Sequence, residues 1–142
     1  PWNDPRAPRI LKGEEAVRRF TEGRVNKFVC IERDQEQLQA LGRRLETLPG
    51  LEITSSWADN YELMPQGVSK GRAVKELAEK MGVGPEQVMT LGDFDNDLSM
   101  IEYAGYGTAM GNATPKVKAA AKYETLTNDE DGVAAAIRKY VL

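Results

Sequence analysis

Hydrophobic residues in the second half of the chain form short runs that alternate with longer sets at helical spacing. The runs predict three strands at residues 88–91, 106–110 and 123–126. Helices are predicted at 69–81 and 95–103, then from the cap-and-proline pair Thr114-Pro115 and from the cap Asn128. The residues predicted to face inward are Val74, Leu77, Ala78 and Met81, then Leu98, Met100 and Ile101, then Val133, Ile137 and Val141. Strands that alternate with helices favour a parallel sheet with right-handed crossovers.

The pattern before Pro65 is different. An apolar run at 25–32 predicts a buried strand, and leucines at helical spacing after the cap Asp34 predict a helix that Pro49-Gly50 ends. Two more strands are predicted at 52–57 and 61–64, on either side of a turn, and one short helix at 13–21. This part of the chain therefore reads as a β-α-β-β unit.

Composition narrows the chemistry. The 142 residues carry a net charge of −3, which argues against nucleic acid or an anionic membrane as the main partner. The chain has no histidine, which excludes Ser/His/Asp and Cys/His catalysis and His-liganded zinc. Cys30 is the only cysteine, so an internal disulfide is excluded and a reducing cytoplasm is expected. No apolar run approaches the roughly 18 residues that span a bilayer.

The run Leu91-Gly92-Asp93-Phe94-Asp95-Asn96-Asp97 follows a predicted strand, at the edge of a parallel sheet where ligands gather. Magnesium takes oxygen ligands, usually one or two carboxylates with water and substrate phosphate. Asp93 suits a direct ligand, Asp97 can orient a metal-bound water, and Asn96 offers an amide to a phosphate oxygen. Two other readings are weighed: Asp95 and Asn96 as simple helix caps among solvated acids, and a calcium loop. Leu98 and Ala104 stand where a calcium loop requires glycine and glutamate.

Lys70 begins a predicted helix, where a cation works against the helix dipole. Such a lysine is useful if an anion lies between it and the helix N-terminus. Taken alone, Lys70 is better read as a solvated side chain.

Four motifs follow one another along the chain: Gly67-Val68-Ser69-Lys70-Gly71, Leu91-Gly92-Asp93-Phe94-Asp95-Asn96-Asp97, Ala109-Met110-Gly111-Asn112-Ala113 and Asn128-Asp129-Glu130-Asp131-Gly132-Val133. In this order they closely resemble the C-terminal half of haloacid dehalogenase-like phosphatases of the Cof type. The resemblance extends from about residue 25 onward. It implies a partial Rossmann-like parallel sheet of three strands with flanking helices, at residues 67–142. Residues 1–66 would be part of that family's α/β cap domain, which sets substrate specificity.

The resemblance also implies roles for five residues. Lys70 would hold the phosphate and the attacking aspartate, and Asp93 would bind Mg²⁺ with Asp97 as its supporting acid. Asn96 would contact the phosphoryl group, and Asn112 would border the phosphate. In this family a magnesium-assisted aspartate forms an aspartyl-phosphate that water hydrolyses, usually on small phosphorylated sugars or related metabolites.

The family's nucleophile motif, Asp-x-Asp near the N-terminus, has no equivalent here. Asp4, Asp34 and Asp59 do not follow an apolar strand of the right kind. We therefore expect the chain to be the C-terminal part of a longer phosphatase and to be inactive alone. Its first core strand would have an open edge, which predicts self-association, strand exchange or a partner chain. The alternatives are a non-catalytic module that binds a phosphometabolite or a metal, and a purely structural or interaction domain.

Overall fold

Residues 26–142, which the computed structural model describes, form two three-stranded sheets. The predicted helix at 13–21 lies outside the described residues. No helix in the described part of the chain has the length and apolar character needed to cross a membrane.

The first sheet is antiparallel and has strand order β1-β3-β2. Its elements are β1 (Phe28–Ile31), α1 (Gln35–Leu45), β2 (Leu51–Thr54) and β3 (Asn60–Pro65). The predicted β-α-β-β unit is therefore confirmed. Helix α1 begins where the Asp34 side chain accepts hydrogen bonds from the N–H groups of Glu36 and Gln37. It ends at Leu45, earlier than the Pro49-Gly50 pair that was expected to stop it.

The prediction of a buried strand at 25–32 is wrong. Strand β1 lies at the edge of its sheet with β3 as its one neighbour among the described strands. Ile31 is 63% exposed and Val29 is 47% exposed, while Cys30 is half-buried. A continuous apolar run cannot by itself distinguish a strand covered on both faces from an edge strand.

The second sheet is parallel and has strand order β4-β5-β6. In chain order its elements are α2 (Lys70–Met81), β4 (Met89–Gly92), α3 (Leu98–Tyr103), β5 (Tyr106–Ala109), α4 (Pro115–Ala120), β6 (Tyr123–Glu124) and α5 (Gly132–Tyr140). The predicted α/β class, with three parallel strands and flanking helices, is confirmed. The core of this part consists of Ile101, Ala109, Met110, Ala113 and Val117.

Several large apolar residues predicted to face inward are exposed instead. Leu77 and Met81 of α2 are 59% and 68% exposed. Val133 and Ile137 of the last helix and Val141, which follows it, are also exposed. The buried residues of α2 are the small ones, Gly71 and Ala78. Helix α2 packs closely on α3 there, since a Cβ added at Gly71 would lie 2.3 Å from the Ser99 carbonyl oxygen.

The start of the last helix also differs from the prediction. Asn128 does not cap α5, because residues 128–130 form a separate 3₁₀ turn. Asp131, with φ of 56°, separates that turn from α5. Thr114 caps its helix as predicted, by accepting a hydrogen bond from the N–H of Val117. Ser69 caps α2 in the same way, by accepting from the N–H of Arg72.

Candidate active site

The end of β4 and the turn that follows it form the centre of the site. Strand β4 ends at Gly92, and residues Asp95–Asp97 make a 3₁₀ turn that leads directly into α3. A Cβ added at Gly92 would lie 2.4 Å from the Cβ of Asp97. Glycine at this position therefore allows Asp97 to fold back under the end of the strand.

Asp97 joins the separate parts of the site. Its side chain is nearly fully buried, and its Oδ2 accepts hydrogen bonds from the N–H groups of Asp93 (3.0 Å) and Phe94 (3.3 Å). Its Oδ1 forms an ion pair with the Lys70 ammonium at 2.5 Å. Asp97 thus fixes the backbone of Asp93 and the position of Lys70 together.

Lys70 lies at the first position of α2 and is about half exposed. The N–H of the next residue, Gly71, donates to the Ser99 hydroxyl of α3 at 3.0 Å. The reading of Lys70 as a simply solvated side chain is therefore wrong, because a buried carboxylate and a neighbouring helix hold it in place.

Asp93 and Asn112 meet across the ends of neighbouring strands. The Asn112 amide donates to Asp93 Oδ2 at 3.0 Å, and its oxygen accepts the N–H of Asn128, also at 3.0 Å. The N–H of Thr114 donates to the Asp93 carbonyl at 2.9 Å. The exposed Asp93 carboxylate therefore keeps Oδ1 without a hydrogen bond among residues 26–142.

Neither the Asp95 nor the Asn96 side chain caps a helix, so the interpretation of these two residues as simple helix caps is wrong. Asp95 forms an ion pair with Lys116 at 3.2 Å and lies 3.4 Å from the Thr114 hydroxyl. The N–H of Asn96 donates to the Ser55 carbonyl of the first sheet at 3.2 Å. Together with the contacts described above, the structure brings the five predicted site residues together at the carboxyl end of β4: Lys70, Asp93, Asn96, Asp97 and Asn112.

A cleft of about 500 Å³ lies between the two sheets beside this cluster. Lys70, Asn96 and Ser99 line one wall, and Lys27, Tyr61 and Glu62 line the other. A cleft of this size fits a small molecule.

Glu62 is a feature of this cleft to which the sequence reading gave no role. Burial alone would raise the pKa of its carboxyl. The hydrogen bonds from Lys27 (2.5 Å) and Ser56 (2.8 Å), with the charges of Lys27 and Lys70, hold the pKa below its ordinary value. The sequence feature that could have indicated the burial of Glu62 is the alternation of side chains along a strand, which puts Glu62 on the same face of β3 as the buried Asn60.

The donor set fits one side of a magnesium site. Asp93 Oδ1 lies at an exposed position and accepts no hydrogen bond from residues 26–142, so it is open to a hard cation. Both oxygens of Asp97 already accept hydrogen bonds or an ion pair, so Asp97 suits support of the site better than direct ligation. Within residues 26–142 no three acidic, cysteine or histidine side chains form a group that could hold a metal. Further oxygens from phosphate, water or other residues would be needed.

Comparison with known proteins identifies the family. A family of haloacid dehalogenase-like hydrolases matches residues 12–137. A curated relative, a 5-amino-6-(5-phospho-D-ribitylamino)uracil phosphatase of Bacillus subtilis, is 51% identical over 92 residues, which are 65% of this chain and 37% of the relative.

Solved structures agree with this. A haloacid dehalogenase-like hydrolase from B. subtilis has a TM-score of 0.76 at 40% identity, covering 82% of this chain and 41% of that chain. A sugar phosphatase of subclass IIB in the same superfamily has a TM-score of 0.74 at 30% identity, covering 84% and 45% of the two chains. The present chain spans less than half the length of these relatives. With the family matching nearly its whole length and the fold agreeing, the chain belongs to the haloacid dehalogenase-like hydrolases.

Proposed function

We propose that this chain is the C-terminal portion of a magnesium-dependent phosphatase of the Cof type that hydrolyses small phosphorylated metabolites. The observation that carries the proposal is the arrangement at the end of β4. There, buried Asp97 holds the Lys70 ammonium and the backbone of Asp93 at one place. A cation and a carboxylate fixed side by side suit a phosphate and its metal ion.

Each site residue has a role in this proposal. Lys70 and the Asn96 amide bind the phosphoryl oxygens, with Asn112 bordering them and orienting Asp93 through its hydrogen bond. Asp93 Oδ1 would hold Mg²⁺, which when bound neutralises charge on the transferring phosphoryl group. Asp97 holds Lys70 and Asp93 in fixed positions relative to each other. It is also proposed to orient a metal-bound water.

The proposal assigns a different function to the part of the chain that contains each sheet. In this proposal residues 1–66, of which 1–25 lie outside the described residues, belong to an α/β cap that contacts the leaving group. Residues 67–142 are the C-terminal half of the catalytic core. Support comes from the cleft, which has Lys70 and Asn96 on one wall and Glu62 on the other.

The substrates proposed are small phosphate esters, with sugar phosphates foremost. Among the relatives, one is a sugar phosphatase and another acts on a phosphoribitylamino-uracil. A cytoplasmic location belongs to the same proposal, since a single cysteine suits a reducing compartment.

The reaction needs an aspartate nucleophile, and residues 26–142 contain no candidate for it outside the roles already proposed. Among residues 26–142, Asp97 is paired with Lys70, Glu62 is paired with Lys27, and the proposal assigns Asp93 to Mg²⁺. We therefore expect the isolated chain to be inactive, because none of these three carboxylates is left to attack a bound phosphoryl group.

The test is hydrolysis of p-nitrophenyl phosphate by the purified chain with and without Mg²⁺. No turnover above a buffer blank is expected for the wild-type chain or for Asp93→Asn. Robust magnesium-dependent turnover that Asp93→Asn abolishes would overturn the expected inactivity of this portion.

A further inference from the structure

The cleft wall formed by the first sheet contains a buried polar network. Glu62 and Asn60 lie two residues apart on the central strand β3, on the same face, and are 7% and 1% exposed. No buried side-chain polar atom within residues 26–142 lacks a hydrogen-bond partner. Two apolar side chains could fill this space without the free-energy cost of burying polar groups. A buried polar pair whose hydrogen bonds are all satisfied therefore points to a further role.

The network holds the turn at residues 55–59, which we call the β2–β3 turn. The Ser56 hydroxyl donates to Glu62 Oε1 at 2.8 Å and accepts from the Asn60 amide at 3.0 Å. Asn60 Oδ1 in turn accepts the N–H groups of Ser56 (3.1 Å) and Trp57 (3.0 Å). Both the side chain and the backbone of Ser56 are therefore fixed.

The residue just before Ser56 contacts the candidate active site. The Ser55 carbonyl accepts the N–H of Asn96 at 3.2 Å, across the boundary between the two sheets. The first N–H groups of a helical turn have no partner within that turn. The Ser55 carbonyl is the acceptor that Asn96 finds among the described residues.

We propose that Glu62 is a positioning residue for Asn96, acting through Ser56 and the β2–β3 turn. The inference rests on the proposed function, in which the Asn96 side chain contacts the phosphoryl group. An element of the cap thereby fixes a residue of the phosphate site, without itself touching the phosphate.

The charge state of Glu62 suits this role. The Lys27 ammonium contacts Glu62 Oε2 at 2.5 Å, and Lys70 adds its charge from across the cleft. An ionised carboxylate only accepts hydrogen bonds, so the Ser56 hydroxyl must donate to it. That leaves the hydroxyl oxygen to accept from Asn60, as observed.

The test uses the full 142-residue chain and three measurements: amide hydrogen exchange of Asn96, affinity for inorganic phosphate with Mg²⁺, and thermal stability. Ser56→Ala removes the hydrogen bond between Ser56 and Glu62, and Ser56→Thr keeps the hydroxyl that donates it. Leu38→Ala removes a buried side chain of α1 that takes no part in these hydrogen bonds, and it serves as the control for stability. Glu62→Leu removes the acceptor from the opposite end and provides a second test if Ser56→Ala does not fold.

Ser56→Ala and Glu62→Leu are each expected to speed exchange at Asn96 and to weaken phosphate binding about fivefold, the effect of one hydrogen bond. Ser56→Thr should restore both, and Leu38→Ala should lower stability without either effect. Unchanged exchange at Asn96 in Ser56→Ala and Glu62→Leu would overturn the inference. If wild-type chain does not bind phosphate, the proposed function fails, while Asn96 exchange still decides whether the network positions that residue.

Discussion

Two buried carboxylates, Asp97 and Glu62, organise the two walls of the cleft at the scale of single residues. Asp97 accepts from Lys70 and from the backbone at the end of β4, and Glu62 accepts from Lys27 and Ser56. Each lies next to an ammonium group and accepts hydrogen bonds on both oxygens. A buried charge is tolerated only with such partners.

The lowered pKa of Glu62 predicts how stability depends on pH. Its folded pKa lies below the ordinary value of 4.5, so its contribution is present above that value and is lost as the pH falls through the folded pKa. Between pH 5 and pH 3, urea unfolding should show a larger loss of unfolding free energy for wild type than for Glu62→Gln. Equal losses in the two proteins would contradict this assignment.

At the scale of elements, local patterns predicted the helices and strands well but predicted their buried faces poorly. Helix α2 was expected at 69–81 and spans Lys70–Met81, because its serine cap and glycine stop are local signals. Which face is buried depends on the neighbouring helix, and α3 lies against α2 at the small residue Gly71. Leu77, expected inside, is therefore exposed.

The same distinction applies to the candidate site. Asp93, Asn96 and Asp97 were predictable because a strand end and one turn hold them within five residues. The role proposed for Glu62 was not predictable, because it depends on contacts that Lys27 and Ser56 make with Glu62 in the folded sheet. Pairings between distant residues leave no local pattern in a single sequence.

Alanine substitutions can test the assignment of buried faces. Ile101 of α3 is fully buried and Leu77 of α2 is 59% exposed. We expect Ile101→Ala to lower the unfolding free energy by about 2–5 kcal/mol, because it leaves a cavity in the core. Leu77→Ala should change it by about 0.5 kcal/mol or less. Chemical denaturation measures both, and similar losses would show that the faces are wrongly assigned.

At the scale of the whole molecule, the described part of the chain leaves apolar surface uncovered. Strand β4 pairs with β5 and with no other strand in residues 26–142. Leu77, Met81 and Ile137 on the helices of the same sheet, and Val141 just after the last helix, are exposed. The relatives are more than twice as long as the segment they share with this chain, and their additional residues are candidates to cover these surfaces.

This exposure predicts self-association of the isolated chain, by edge pairing or apolar contact. Sedimentation velocity across a wide concentration range should show the mean mass rising with concentration. Replacing Leu77 and Met81 by glutamine should reduce the effect if apolar contact contributes. A strictly monomeric species at high concentration would contradict the prediction.

The central claim is that this chain carries the phosphate- and metal-binding half of a phosphatase site. Calorimetric titration of the chain with Mg²⁺ in the presence of inorganic phosphate tests it most directly. Asp93→Asn removes the proposed ligand, and Glu79→Gln removes one negative charge from an exposed position on α2 as a matched control. Saturable magnesium-dependent binding is expected in wild type and Glu79→Gln and not in Asp93→Asn. Binding that Asp93→Asn leaves unchanged, or no magnesium-dependent binding in wild type, would contradict the claim.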